Sequence, residues 1–442
     1  MDPENKPQGP SPNYSLYQRE IFKHGGETGQ LPTFSVHPDE LQESTKKKLN
    51  DRGYFYANSN AGIGWTDRAN REAFYRWRIV PRTLVDTNVR DLTTTIFGHK
   101  IPAPVMFAPI GINKLYHPLG EFVPAKIAGE LGIPYALSTA ASQSIEEVAK
   151  VNDLAASIKN ESNSVHTYSG PNGGDAQGPR FFQLYMGHDD DITLSLLNRA
   201  WKSGFDVLML TTDTWQLGWR PTDINIANYT FYYENTPGNA TGLSDPIFMQ
   251  KHAENLKKDS GKWIDHSVWH GKAHTWEKIR WLIGEWKRIS NGRPFVIKGI
   301  QCAEDALKAY DVGCEGIVVT NHAGRQVDGA VGSLEVLPEI AEAVGDKMTI
   351  IFDSGVRTGA DVFKAIALGA HVVALGRLFV WGMSHEGEYG CRHVIKSLLA
   401  DLDILMTVAG YRSIAEDVYN NRKALRYTPS GVPPGPHEHA TL

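Results

Sequence analysis

An imidazole and a guanidinium three residues apart, at the end of an uncharged strand, can do proton chemistry on an anionic substrate. The stretch GIVVTNHAGRQVDG (316–329) offers that arrangement. Its first residues are a short β-branched run of the kind buried in a parallel sheet. Asn321, His322 and Arg325 follow, set among small residues that let a backbone or a flat ligand come close. Histidine titrates near neutrality, so it can take up and release a proton. An arginine fork matches a carboxylate or a phosphate through two hydrogen bonds. Alone, His-x-x-Arg also describes a loop histidine beside a surface arginine, and the rest of the chain has to decide.

The elements that must hold these groups begin at residue 102. Apolar strand-like runs alternate there with helix-period segments: PVMFAP (104–109), IPYALST (133–139), RFFQLY (180–185), DVLMLTTD (206–213), PFVIKG (294–299), GIVVTN (316–321), MTIIFDSG (348–355) and HVVALGR (371–377). Strand–helix alternation implies βαβ units and a parallel sheet. Eight repeats over roughly 280 residues predict a (β/α)₈ TIM barrel, with a doubly wound sheet as the alternative. Ahead of the barrel, HPDELQESTKKKLN (37–50) and a segment from Asp67 to Trp77, capped by Thr66, predict a helical extension. Residues 1–35 read as a flexible tail, 36–425 as one catalytic domain and 426–442 as a second tail. Two stretches break the rhythm, a Gly/Asn/Ser-rich insert (152–179) and a long lid-like connection (221–275).

Bulk properties exclude several classes. With 442 residues, 41% hydrophobic and 21% charged, the chain has ample core, and a net charge of −5 suggests no nucleic-acid partner. Cys302, Cys314 and Cys391 lack metal-site or disulfide-framework spacing. No window is apolar for about 18 residues and the N-terminus is polar, so neither a membrane span nor a signal peptide is expected. A cytoplasmic protein is the reading.

In such barrels chemistry gathers at the C-terminal strand ends. The residues leaving the strands are Pro109, Ile110 and Gly111; Ser138; Gln183 and Tyr185; Thr211 and Asp213; Lys298; His322 and Arg325; Asp353, Gly355 and Arg357; Gly376 and Arg377. Almost every strand thus delivers a hydrogen-bonding or charged group to one mouth. DSGVRTG and LGR place glycines and two arginines beside helix N-termini, the usual phosphate cup after strands seven and eight. No GxGxxG follows a strand, which argues against a Rossmann dinucleotide site.

NHAGRQVDG, VIKGI, TTDTWQLGWR, FFQLY and FDSGVRTGADVFKAIALGA together resemble the FMN-dependent L-2-hydroxy-acid oxidising enzymes, over Tyr56 to Leu425 and in the same order. The resemblance implies a TIM barrel carrying FMN. It implies His322 as catalytic base, Asp213 as the carboxylate that orients it, and Arg220 and Arg325 as the clamp on the substrate carboxylate. Tyr56 and Tyr185 become the phenols that hold the substrate. Lys298 becomes the cation beside the flavin N1–C2=O edge. Pro109, Ile110, Gly111, Ser138, Gln183 and Thr211 become isoalloxazine contacts, with Asp353, Gly355, Arg357, Gly376 and Arg377 along the ribityl phosphate. Gly111 and Ala140 are smaller than their counterparts in glycolate oxidase-like members, which favours lactate or a larger acid. The TWQLGWRPTD stretch is most similar to lactate 2-monooxygenase. The expected activity is oxidation of L-lactate to the keto acid, with O₂ as the second substrate and coupled decarboxylation to acetate, CO₂ and water. The alternatives are an oxidase releasing peroxide, a dehydrogenase using another acceptor, a redox isomerase or a non-catalytic barrel. A homotetramer is expected from the same resemblance.

Overall fold

The computed structural model describes residues 9–162, 179–232, 237–256 and 261–429. All eight apolar runs are strands: β1 (Val105–Phe107), β2 (Tyr135–Ser138), β3 (Arg180–Leu184), β4 (Val207–Thr211), β5 (Phe295–Ile300), β6 (Gly316–Val319), β7 (Thr349–Phe352) and β8 (Val372–Leu375). They pair in chain order, all parallel, and β8 returns to β1 through Val373 opposite Val105 and Leu375 opposite Phe107. A closed ring removes both sheet edges, which decides for the (β/α)₈ barrel over the doubly wound sheet.

Side-chain alternation divides the core. Met106, Ala136, Phe181, Met209, Val318 and Ile351 fill the barrel interior, while Phe107, Leu137, Phe182, Leu208, Ile317 and Ile350 pack outward against the helices. A hairpin of Thr94–Ile96 and His99–Ile101 adds Ile96 and Ile101 to the interior cluster. Its turn residues Phe97 and Gly98 both have positive φ, as a tight hairpin of this hand requires. One irregularity positions chemistry. Between Lys298 and Ile300 the β5–β6 register slips by one residue at Gly299, whose φ is 123°. This bulge falls directly after Lys298, in the VIKGI motif, and re-aims the strand end.

Several boundaries differ from the sequence reading. Within residues 1–35 the chain forms a helix, Leu16–Thr28, docked on the barrel. Ser15 N–H donates to Asp403 Oδ2 at 2.8 Å, and the Tyr17 hydroxyl meets His393 Nδ1 at 2.6 Å. The helix buries none of its residues, so it carries no apolar stripe to read. At the other end Leu425–Tyr427 pairs antiparallel with Trp77–Ile79, so the folded domain runs past 425. The expected insert at 152–179 begins as continued helix (Ile145–Ser162), and its residues 163–178 lie outside the described ones. The 221–275 connection is largely helical where described, and its own Phe231, Phe248 and Trp263 are fully buried. Thr66 does not cap its helix, which starts at Trp65 behind Gly64. Its hydroxyl instead donates to Val327 O at 2.8 Å, tying that helix to the loop after β6.

Candidate active site

The β6 exit reverses sharply. His322 and Ala323 both lie in the left-handed region, at φ 56° and 54°, a conformation costing on the order of 1–3 kcal/mol per non-glycine residue. Asn321 holds the turn. Its side chain accepts from Gly324 N–H at 3.1 Å, exchanges two hydrogen bonds with the Asn70 amide, and donates to Val331 O at 2.9 Å. The Ala323 N–H is taken by Ser354 Oγ at 3.0 Å.

So held, His322 places Nδ1 2.9 Å from Asp213 Oδ1, at the end of β4. The Thr214 hydroxyl lies 2.7 Å from the same oxygen, and Gln326 Nε2 donates to the Asp213 carbonyl at 2.8 Å. Burial raises the Asp213 pKa, but its pairing with His322, the Lys298 charge and the Thr214 hydrogen bond outweigh it and hold the carboxyl well below the usual range. An ionised carboxylate only accepts, so Nδ1 carries the proton and Nε2 keeps its lone pair. Burial also lowers the His322 pKa, with Asp213 opposing, so the imidazole rests neutral. This is a general base with its orienting carboxylate.

Tyr56, Tyr185, Arg220 and Arg325 line the same cleft. Burial pushes the Tyr56 phenol up to about 12 and Tyr185 higher still, so both stay hydrogen-bond donors. The two arginines divide their work in a way the motif did not show. The Arg325 fork donates to Ala57 O, Ser59 O and Tyr56 O at 3.2, 2.6 and 2.5 Å, satisfying carbonyls at the end of helix Asp51–Asn58. Only part of it faces the cleft. Arg220 uses Nε on Arg325 O at 2.9 Å and Nη2 on Gln326 Oε1 at 2.9 Å, which leaves Nη1 uncommitted among the described residues. Burial and the neighbouring Arg325 charge lower its pKa to about 9, so it is still a cation at neutral pH. No carboxylate among the described residues forms an ion pair with either.

Pro109, Ile110, Gly111, Ser138, Lys298, Asp353, Gly355, Arg357, Gly376 and Arg377 complete the cleft, whose empty space, its open mouth included, is about 1000 Å³. A Cβ at Gly111 would sit 2.9 Å from Ala140 O, so the close approach of these two strand exits demands glycine. Gln183 and Thr211 do not line the cleft. They lie buried beneath it, joined through Gln183 Nε2 to Thr211 Oγ1 at 2.9 Å, and Gln183 Oε1 accepts from Thr139 N–H. Lys298 stands 3.9 Å from Asp353, whose carboxylate accepts from Thr320 and Ser354.

Two observations test whether these residues fit FMN. Arg357 is a half-buried guanidinium whose hydrogen bond, among the described residues, goes to the Val356 carbonyl, and it stacks on Trp381 at 4.8 Å. Burial and the Arg377 and Arg71 charges lower its pKa to about 9, the mark of a site short of an anion. Beside it Ser354 and Gly355 have φ of 87° and 84°, and a Cβ on Gly355 would sit 2.9 Å from Asn70 O. Left-handed backbone next to an unneutralised arginine is a phosphate cradle, and the residues fit the cofactor. Arg357→Met is expected to weaken FMN binding about 10- to 100-fold, the worth of one or two charge-assisted hydrogen bonds. Fluorescence titration of the apoprotein with FMN checks this, and unchanged affinity would remove Arg357 from the phosphate site.

Sequence reasoning missed Thr214, Gln326, Tyr116 and Trp269, although Tyr116, Thr214 and Trp269 all line the cleft. Thr214 and Gln326 directly follow Asp213 and Arg325, so their motifs already contained them. Tyr116 and Trp269 sit in no motif and reach the site through tertiary packing alone.

Comparison with known proteins agrees with this geometry. The family model described as FMN-dependent dehydrogenase matches residues 45–421. The FMN-dependent alpha-hydroxy acid dehydrogenase qulF of Penicillium citrinum is 42% identical over 92% of this chain and 95% of its own. The L-lactate oxidase of Lysinibacillus sphaericus is 35% identical, covering 88% and 92% of the two chains. Among solved structures, a mandelate oxidase superposes with a TM-score of 0.71 at 29% identity, over 89% of this chain and 98% of that one. With FMN as its cofactor, this chain belongs to the family of FMN-dependent 2-hydroxy-acid oxidoreductases.

Proposed function

We propose that the protein oxidises L-lactate to pyruvate with O₂ as the terminal acceptor, and that it retains the products long enough for decarboxylation. The observation that carries the reading is one cleft holding both the His322–Asp213 pair and Arg220, a buried cation that forms no ion pair among the described residues. A 2-hydroxy acid supplies what each lacks. Its carboxylate meets Arg220 Nη1, the phenols of Tyr56 and Tyr185 donate to its oxygens, and His322 Nε2 accepts a proton. Bound FMN supplies the two-electron acceptor. Lys298 stabilises negative charge developing at the cofactor edge. The His322 lone pair serves either route, taking the α-proton itself or the hydroxyl proton as hydride leaves.

Lactate over glycolate is supported by Gly111 and Ala140, which keep the wall of the cleft small. Retention is supported by the 221–275 segment, whose Trp269 lines the cleft. Slow release lets pyruvate and peroxide react to acetate, CO₂ and water. The free thiols of Cys302, Cys314 and Cys391 favour a reducing, cytoplasmic compartment, and among the described residues no helix is long and apolar enough to cross a membrane. A homotetramer completes the proposal, to be checked by light scattering.

The test is anaerobic mixing of the yellow protein with L-lactate, then air and product analysis. Bleaching followed by acetate and CO₂ without free peroxide is the expected result. Pyruvate with one equivalent of peroxide would make it an oxidase. Bleaching only by a longer hydroxy acid would replace lactate as the substrate.

A further inference from the structure

The exits of β1 and β2 form one wall of the cleft, through Ile110, Gly111, Ser138 and Ala140. Gly111 and Ala140 carry no group that could hold them in place. We propose that Glu121, buried outside the cleft, is the positioning residue that sets this wall and so limits the length of 2-hydroxy acid the cleft accepts. The inference rests on the reading of the cleft as a 2-hydroxy-acid site.

Glu121 opens the helix Phe122–Leu131, yet its carboxyl does not cap that helix. Oε1 instead accepts from Asn113 N–H at 3.0 Å, after β1, and from Ser142 N–H at 2.9 Å, after β2. Oε2 accepts from the Ser142 hydroxyl at 2.5 Å, and Ser142 Oγ in turn accepts from Lys114 N–H at 3.0 Å. One carboxyl therefore ties both strand exits together. Its own turn is fixed against the same loop. Glu121 N–H donates to Gln143 Oε1 at 3.0 Å, and Gln143 Nε2 donates to Leu119 O at 3.1 Å. Asn113, Glu121, Ser142 and Gln143 are all at most 5% exposed, so water cannot easily replace a lost contact.

The backbone between this clamp and the wall is strained. Ile112, which joins Gly111 to Asn113, lies in the left-handed region at φ 54°. A β-branched residue rarely occupies that region, and such backbone persists only where its surroundings over-determine it. Here Ile112 N–H donates to Ala140 O at 3.0 Å, and Glu121 takes the next N–H along the chain. Released from Glu121, Ile112 would relax and Gly111 would draw away from Ala140. That opens the wall to a longer side chain.

Glu121→Ala, Glu121→Gln and Ser142→Ala are compared with the FMN-loaded wild type by anaerobic bleaching with L-lactate and with L-2-hydroxyhexanoate. The flavin's visible spectrum and a thermal melt are recorded beside them. Glu121→Ala is expected to slow bleaching by lactate about 10- to 100-fold, as when a positioning contact away from the chemistry is lost, and to raise the hexanoate-to-lactate rate ratio severalfold. Glu121→Gln keeps Oε1 for both backbone N–H groups and should bring the lactate rate back to within about threefold of wild type. The flavin's bands should shift in Glu121→Ala and return in Glu121→Gln, since Pro109 to Gly111 are the stretch expected against the isoalloxazine. Ser142→Ala deletes only the hydroxyl bridge to Lys114 and should raise the rate ratio in the same direction, which decides the matter if Glu121→Ala does not fold. An unchanged rate ratio and unchanged bands in Ser142→Ala and in folded Glu121→Ala, whatever their melting temperatures, would overturn the proposal. A wild type that neither acid bleaches would overturn the substrate reading instead, and the flavin bands of the variants would still judge Glu121.

Discussion

Replacing His322 with glutamine is expected to slow lactate-driven bleaching of the flavin by about 10²–10⁴-fold, the usual worth of a positioned general base, while FMN stays bound. The structure makes this specific. Asp213 holds Nδ1 in its protonated form, so the lone pair on Nε2 is the one basic site the ring can offer. Glutamine keeps the polarity but has no such base. Stopped-flow anaerobic reduction measures the effect, and a loss of less than tenfold would show that the proton leaves by another path. The pH profile follows from the same residue. Protonation of Nε2 abolishes the base, so kcat/KM must fall as pH decreases. Because burial lowers the His322 pKa beneath its ordinary value near 6.5, the acid limb lies below that pH and activity is flat just above it. An acid limb centred above 6.5 would contradict a half-buried, neutral imidazole.

Arg220→Met is expected to lower kcat/KM by on the order of 10²–10³-fold. Removing one partner of a buried, hydrogen-bonded charge pair costs about 2–5 kcal/mol. Nη1 of Arg220 is the uncommitted donor, whereas three carbonyls already occupy the Arg325 fork. The loss should therefore appear mainly in KM for Arg220→Met. Arg325→Met should also loosen helix Asp51–Asn58 and lower thermal stability. Arg220→Lys should recover little, since an ammonium cannot hold Arg325 O, Gln326 and a carboxylate at once. Steady-state kinetics beside thermal melts of both variants separate the two roles. Equal melting temperatures with equal KM changes would show that the arginines act alike.

Much of the site was legible because its motifs are short and continuous. NHAGRQVDG carries the base, its turn and Gln326 within nine residues, and eight apolar runs at strand spacing are enough to close a barrel. Other features were hidden for identifiable reasons. The Leu16–Thr28 helix buries nothing and docks through polar contacts, which leave no periodic trace. Gln183 and Thr211 share the inward parity of Phe181 and Met209, and their hydrogen bond to each other, which no strand periodicity announces, joins them at the floor beneath the residues that line the cleft.

By itself the sequence determined the strand count, the family and which chemical groups the barrel mouth would hold, since strand periodicity and residue type are local properties. Only the tertiary structure decided how those groups share partners. It set Arg325 on a helix end while freeing Arg220, and brought Trp269 and Tyr116 to the cleft. Those outcomes depend on contacts between residues tens to hundreds of positions apart, and hydrogen-bond competition among them is settled only when the chain has closed.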